Sequence, residues 1–177
     1  MPKNVMVVGT GTIGEPLIGL LAEHKDALGL DNVLFFKRTP LSDEKGKVEA
    51  LLRKGSKIVS SSDALSDFKQ LGFSEIEDVD NAYEDADVII DCTPSGNENW
   101  KSIYSSLDQS KRFMAQGSEH GFGQFFAWGI NNDVLENGSN KYLIASCNTH
   151  NIASIVKTFA LDQGRELVEG QFVCLRR

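Results

Sequence analysis

The chain has 177 residues, 41% hydrophobic and 24% charged, enough for one full domain and part of another with a core that needs neither disulfides nor a structural metal. Its 18 basic and 25 acidic residues give a formal net charge of −7, which repels nucleic acid. No apolar run approaches the ~20 residues of a membrane helix, and the N-terminus lacks the apolar stretch and cleavage site of a signal peptide, so neither nucleic acid nor a membrane is expected as a partner and the cytoplasm is the simplest address.

Val5-Met6-Val7-Val8 is a continuous apolar run, as in a strand covered on both faces. A glycine turn follows. Ile13, Leu17, Leu20 and Leu21 then recur at helical spacing, with Pro16 tolerated in the first turn and Gly29 as the stop signal. Val33 to Phe36 reads as a second strand, Glu44 to Arg53 as a helix closing near Gly55, and Ile58-Val59 as a third strand. Ser62 or Asp63 is placed to cap a helix ending near Gly72. After a short segment at Asn81 to Ala86, Val88 to Cys92 gives another buried strand, ended by Thr93-Pro94-Ser95-Gly96. Arg112 to Gln116 and Tyr142 to Ala145 read as further strands, whereas residues 117–140, rich in Gly, Asn and Phe, carry no assignable pattern. Ile152, Ile155, Val156 and Phe159 form one apolar stripe, which predicts a helix from Asn148 to Gln163, and Leu167 to Leu175 reads as a strand with no partner. Strands alternating with helices predict an α/β fold with a doubly wound, mostly parallel sheet of Rossmann type.

Gly9-Thr10-Gly11-Thr12-Ile13-Gly14 fits G-x-G-x-x-G between a buried strand and an amphipathic helix, the context in which the pattern binds a dinucleotide. Gly9 permits the tight turn, Gly11 the approach of a pyrophosphate, and Gly14 close helix–strand packing, while the helix start offers free N–H groups to the anion. A purely structural turn is the alternative. An NAD site usually has Asp or Glu at the end of the second strand; here Lys37-Arg38-Thr39-Pro40 stands there instead. Two cations and a hydroxyl suit a 2′-phosphate, so NADP is preferred over NAD, against the alternative of a solvated strand end.

The three cysteines are widely spaced and fit neither a disulfide framework nor a zinc site. Cys147 directly precedes the helix of residues 148–163, where the helix dipole and unpaired N–H groups favour a thiolate and could hold an oxyanion. A nucleophile and a plain packing cysteine both remain open on these grounds. Cys92 and Cys174 read as packing. His150, three residues on, could share a face with Cys147, although that spacing rarely aligns an imidazole for proton transfer. His24 and His120 read as surface or structural.

Taken together, the glycine loop, Lys37 to Pro40, Ala86 to Gly96, Gln116-Gly117-Ser118-Glu119 and Ser146-Cys147-Asn148-Thr149 resemble the archaeal-type (type II) phosphorylating glyceraldehyde-3-phosphate dehydrogenases, in order and spacing along nearly the whole chain. The resemblance implies that Cys147 attacks the aldehyde of glyceraldehyde 3-phosphate, that hydride passes to the nicotinamide, and that inorganic phosphate releases 1,3-bisphosphoglycerate from a cysteine thioester. By position it implies that Gly9, Gly11, Thr12, Ile13 and Gly14 line the cofactor and that Lys37, Arg38 and Thr39 face the 2′-phosphate. It likewise puts Thr93, Pro94 and Gly96 near the nicotinamide half, and Asn148 and Thr149 on substrate or phosphate. A homotetramer is implied for the complete enzyme.

Two departures stand out. His150-Asn151 replaces the family's Thr-Gly, which unsettles the phosphate contacts, and the family's general-base histidine would lie beyond residue 177. The expectation is therefore a Rossmann domain over residues 1–146 and, over 147–177, the first helix and strand of an incomplete α+β catalytic domain. Arg176-Arg177 would match an arginine pair in that strand. The 177 residues alone are expected to bind NADPH weakly and to turn over little or nothing. Another cysteine-acyl dehydrogenase, of the aspartate-semialdehyde or N-acetylglutamyl-phosphate reductase type, and a non-catalytic dinucleotide-binding module are the competing readings.

Overall fold

Val5 to Val8 lie at the heart of the computed structural model, which describes residues 3–117, 119–161 and 166–174. Strand β1 (Asn4–Val8) pairs in parallel with β2 (Asn32–Phe36) on one side and β5 (Val88–Asp91) on the other. Outward from β2 come β3 (Lys57–Ser60) and β4 (Ile76–Asp78); outward from β5 come β6 (Arg112–Gln116), β8 (Lys141–Ile144) and β7 (Gln124–Phe126). All eight strands are parallel, in the order β4-β3-β2-β1-β5-β6-β8-β7.

The period-2 alternation of a strand divides the core into two layers. Val5, Val7, Val33, Phe35, Ile58 and Ile90 face one way, against Ile18 of α1 (Gly14–Glu23), Val48 and Leu51 of α2 (Lys45–Arg53) and Phe68 of α3 (Leu65–Gln70). Met6, Val8, Leu34, Val59 and Ile89 face the other, against Ala82 and Tyr83 of α4 (Val79–Asp85), with Trp100 of α5 (Gly96–Ser102), Tyr104 and Phe113 beside them. Each fully buried side chain of this size contributes about 1.5–3 kcal/mol. Helices on both faces of a parallel sheet confirm the expected doubly wound Rossmann-type architecture.

Sequence patterning missed three elements that sit in or beside this sheet. Strand β4 has only three residues, none buried, and so carries no apolar run. Strand β7 lies inside the 117–140 stretch, followed by a 3₁₀ turn at Asn132–Glu136. Helix α5 follows the Thr-Pro-Ser-Gly turn directly, and only Gly96 of it is buried, so no apolar stripe announces it.

The last segment differs from expectation. Helix α6 (Cys147–Val156) forms and continues as a π-turn over Lys157–Leu161, one residue earlier at its start than read from the stripe. The strand expected over Leu167 to Leu175 does not form within residues 166–174, which pair with no neighbour and are exposed; Leu175 and Arg176-Arg177 lie outside the described residues. An apolar strand is stable only when a ladder partner takes its N–H and C=O groups, and none is at hand among the described residues. Among the described residues, no helix is long and apolar enough to cross a membrane, and no cluster of side chains suits a metal ion.

Candidate functional site

Sheet order reverses direction between β1 and β5, and the crevice beyond such a switch point is where open α/β sheets bind ligands. There the turn after β1 meets the turn after β5. Gly9 adopts φ +99°, and a Cβ on it would stand 3.0 Å from Thr93 Cγ2. Gly14 is closed off more severely, since a Cβ would lie 1.9 Å from the Gly9 carbonyl oxygen. Gly11 is the opposite case: a Cβ there would meet nothing within 4 Å. Gly14 thus closes the turn on itself, Gly9 closes it against the turn after β5, and Gly11 faces open space beside the start of α1.

A cleft of about 470 Å³ opens at this edge, lined among others by Gly9, Thr10, Lys37, Arg38, Thr39, Tyr83, Thr93 and Pro94. Six positions singled out in the sequence therefore converge on one hollow. Gly11, Thr12 and Ile13 are exposed at the loop outside its lining, and Gly14 is buried beneath it. Gly96 is not a lining residue either; a Cβ on it would press on Ala115 Cβ at 3.1 Å and on Glu119 Cγ at 3.2 Å. Its role in the structure is close packing under α5, whose second amide, Asn97 N, donates to Glu119 Oε2 at 2.7 Å. A separate hollow of about 690 Å³ between α2 and β4 shares no residue with the cleft.

At the end of β2 the basic pair splits. Arg38 and Thr39 are exposed, whereas Lys37 is buried. The Lys37 main chain is fixed to β3, its N–H donating to the Val59 carbonyl at 3.0 Å and its C=O accepting from Ser60 Oγ at 2.9 Å. Its ammonium forms an ion pair with Glu44, from the 3₁₀ turn Ser42–Glu44, and Glu44 also lines the cleft. That hydrogen bond to Lys37, with the positive charges of Lys37 and Lys47, holds the Glu44 carboxyl below the usual carboxylate range. Sequence reading missed this carboxylate because it reaches the site across a turn, not along a helix face.

Beneath the turn after β5 lies Asp91, wholly buried. Its Oδ1 accepts from Thr93 N at 2.8 Å and Thr93 Oγ1 at 2.6 Å; its Oδ2 accepts from Asn99 Nδ2 at 2.7 Å and the Tyr104 hydroxyl at 2.8 Å. One carboxylate therefore fixes the cleft wall to α5 and to the core. Burial, then the Asp91 charge, pushes the Tyr104 phenol far above its usual range, and burial pushes Tyr83 up to about 12. Burial, with the same Asp91 charge, pushes the Cys92 thiol up to about 12, which makes it an inert packing cysteine.

Cys147 sits at the same edge of the sheet, since β8 runs parallel to β1 and ends three residues before it, although it does not line the cleft. It is exposed and is the first residue of α6. Ser146 caps that helix, its Oγ accepting from Thr149 N at 3.4 Å and lying 2.9 Å from Thr149 Oγ1. Asn148 is half-buried and Thr149 exposed beside it. His150 turns away, with Nε2 2.9 Å from the Trp128 carbonyl oxygen, so that nitrogen is the protonated donor and is not available as a base for Cys147. Cys174, read as a packing residue, is exposed.

No family model matches the chain. Curated relatives do match. The glyceraldehyde-3-phosphate dehydrogenase of Pyrobaculum calidifontis is 29% identical over 162 residues, which cover 90% of this chain and 44% of that protein. That of Sulfolobus acidocaldarius is 27% identical over 174 residues, 96% of this chain and 48% of that protein, and that of Pyrobaculum arsenaticum 30% over 162 residues, 90% and 44%. The chain spans about half the length of the curated relatives it matches. Among solved structures, Haloferax mediterranei glucose dehydrogenase in complex with NADP, Zn and gluconolactone aligns with 89% of this chain and 41% of its own, at 18% identity and a TM-score of 0.48, a likeness too slight to carry weight.

Proposed function

Because the chain is homologous to an N-terminal portion of the archaeal glyceraldehyde-3-phosphate dehydrogenases, we propose that it is the dinucleotide-binding part of a phosphorylating aldehyde dehydrogenase that prefers NADP to NAD and carries the acyl-accepting cysteine, Cys147. The observation that carries the reading is the glycine loop at the switch point, in which Gly11 alone faces open space while Gly9 is closed by Thr93 and Cys92 of the turn after β5 and Gly14 by the Gly9 carbonyl. A side chain at Gly11 would fill the space a pyrophosphate needs.

In this reading Gly9, Gly11, Thr12 and Ile13 hold the pyrophosphate against the start of α1, Arg38 and Thr39 meet the 2′-phosphate, and Thr93 and Pro94 form the opposite wall. A bound dinucleotide supplies a hydride acceptor. The Cys147 sulfur adds to the aldehyde carbon of glyceraldehyde 3-phosphate, and the N–H groups that open α6 accept the negative charge formed on oxygen. Oxidation of that adduct leaves an acyl thioester on Cys147, and inorganic phosphate displaces it as 1,3-bisphosphoglycerate, returning the thiolate. Asn148 and Thr149 offer polar groups to substrate or phosphate. The Nε2 of His150 donates to the Trp128 carbonyl and so does not serve as the base. Assembly into a homotetramer belongs to the same proposal, supported by exposed apolar side chains at Trp128 and Ile155.

Calorimetric titration of the chain with NADPH and NADH tests the cofactor reading. NADPH is expected to bind more tightly, and Arg38→Ala to weaken NADPH about tenfold or more while changing NADH little, as loss of a forked phosphate contact does. Absence of binding by either nucleotide would contradict the proposal.

A further inference from the structure

The end of β2 carries no carboxylate in sequence, yet the fold delivers one. Glu44 lies in the cleft wall with Lys37, Arg38 and Thr39, and it takes the Lys37 ammonium in an ion pair. The Lys37 side chain is only 7% exposed and its main chain is locked to β3 on both sides, so the ammonium leaves Glu44 only by giving up its one anionic partner in a buried setting. Thr10, Glu15 and Lys47 surround the pair, and Lys47 is itself 3.6 Å from Glu15. Lys37 cancels Glu44, and Lys47 cancels Glu15. Arg38 makes no ion pair among the described residues and stands as the uncompensated cation of the cleft.

We propose that Glu44 is a cofactor-specificity residue, which holds Lys37 in an ion pair and so withholds that cation from the 2′-phosphate of NADP. The inference rests on the dinucleotide reading above and sharpens it: Arg38 sets the preference for NADPH, and Glu44 limits it. A carboxylate in this place repels a phosphate, whereas it accepts a hydrogen bond from the unphosphorylated ribose of NADH. The site is then tuned toward tolerance of both nucleotides, not toward the strong selection that Lys37-Arg38 alone would give.

The test is a double-mutant cycle on Glu44→Gln, Lys37→Met and the combined variant, each titrated with NADPH and with NADH. Glu44→Gln is expected to tighten NADPH about tenfold and to leave NADH within about threefold, because it frees a cation and removes a repulsive anion. Lys37→Met should weaken NADPH about tenfold by leaving Glu44 uncompensated, and the combined variant should return the NADPH-to-NADH ratio to within about threefold of the parent. A Glu44→Gln ratio within about twofold of the parent, or equal weakening of both nucleotides as from a scaffold residue, would overturn the inference. The combined variant removes both charges and decides the matter if Glu44→Gln fails to fold. Loss of NADPH preference in it would show that Lys37 reaches the phosphate despite Glu44, and would also overturn the inference. A parent chain that binds neither nucleotide would overturn the dinucleotide reading and this inference together; a parent that binds, with a ratio that Glu44→Gln leaves unmoved, would overturn only the inference.

Discussion

A Cβ placed on Gly14 would stand 1.9 Å from the carbonyl oxygen of Gly9, a contact that only the absence of a side chain permits. Gly14→Ala is therefore expected to cost more than about 3 kcal/mol, by forcing α1 away from the turn. Gly11→Ala should leave stability within about 1 kcal/mol, since its Cβ enters open space, yet weaken dinucleotide binding about tenfold or more. Urea unfolding and nucleotide titration of both variants check the contrast. Equal stability of Gly14→Ala and the parent would contradict the packing account.

Asp91 satisfies four donors with one buried carboxylate, and removing it takes an acceptor from all four, leaving Asn99 Nδ2 its longer bond to Thr93 Oγ1 and the Tyr104 hydroxyl its contact with Tyr83. Asp91→Ala is expected to cost about 3 kcal/mol or more and to weaken nucleotide binding by releasing the turn at Thr93. Tyr104→Phe should cost about 1–3 kcal/mol, because Asp91 Oδ2 keeps its bond from Asn99. Denaturant midpoints decide; an Asp91→Ala variant within about 1 kcal/mol of the parent would show the network to be dispensable.

Alkaline pH should destabilise the fold. The Cys92 thiol is raised from 9.0 to about 12 and the Tyr83 phenol from 10.0 to about 12, so the native state holds these protons more tightly than the unfolded chain. Their contribution is fully present below pH 9.0 and is lost as pH rises toward about 12. At pH 10.5 Cys92 alone should have given up about 2 kcal/mol, from about 1.4 kcal/mol per pH unit. Cys92→Ala should flatten the fall in urea midpoint just above pH 9, and an unchanged slope would refute the assignment.

Thiol labelling should separate the cysteines. Cys147 and Cys174 are exposed, whereas Cys92 is partly buried with its thiol raised. Iodoacetamide near pH 8 is expected to modify the first two, and Cys92 about a hundredfold more slowly until the chain unfolds. Peptide mapping that finds Cys92 labelled alongside Cys147 would contradict the buried environment described for it.

The legible parts of this molecule are those where one local pattern decides the outcome. Val5 to Val8 and Ile89-Ile90 are buried within apolar runs, the pattern of central parallel strands. Gly9 to Gly14 was readable because turn, strand and helix must all agree there. What escaped was held by distant partners. Strand β4 exists through its pairing with β3, α5 through Glu119 at its second amide, and Glu44 enters the cleft through Lys37. Leu167 to Cys174 shows the converse, since an apolar run does not supply the neighbour that makes a strand.

The central claim, a dinucleotide held at the switch point between β1 and β5, is tested most directly by amide hydrogen exchange with and without saturating NADPH. Protection is expected to concentrate at residues 9–15, 37–39 and 93–96, around Gly11, Arg38 and Thr93, with the β4 edge unaffected. Protection confined to the hollow between α2 and β4, or none anywhere, would contradict it.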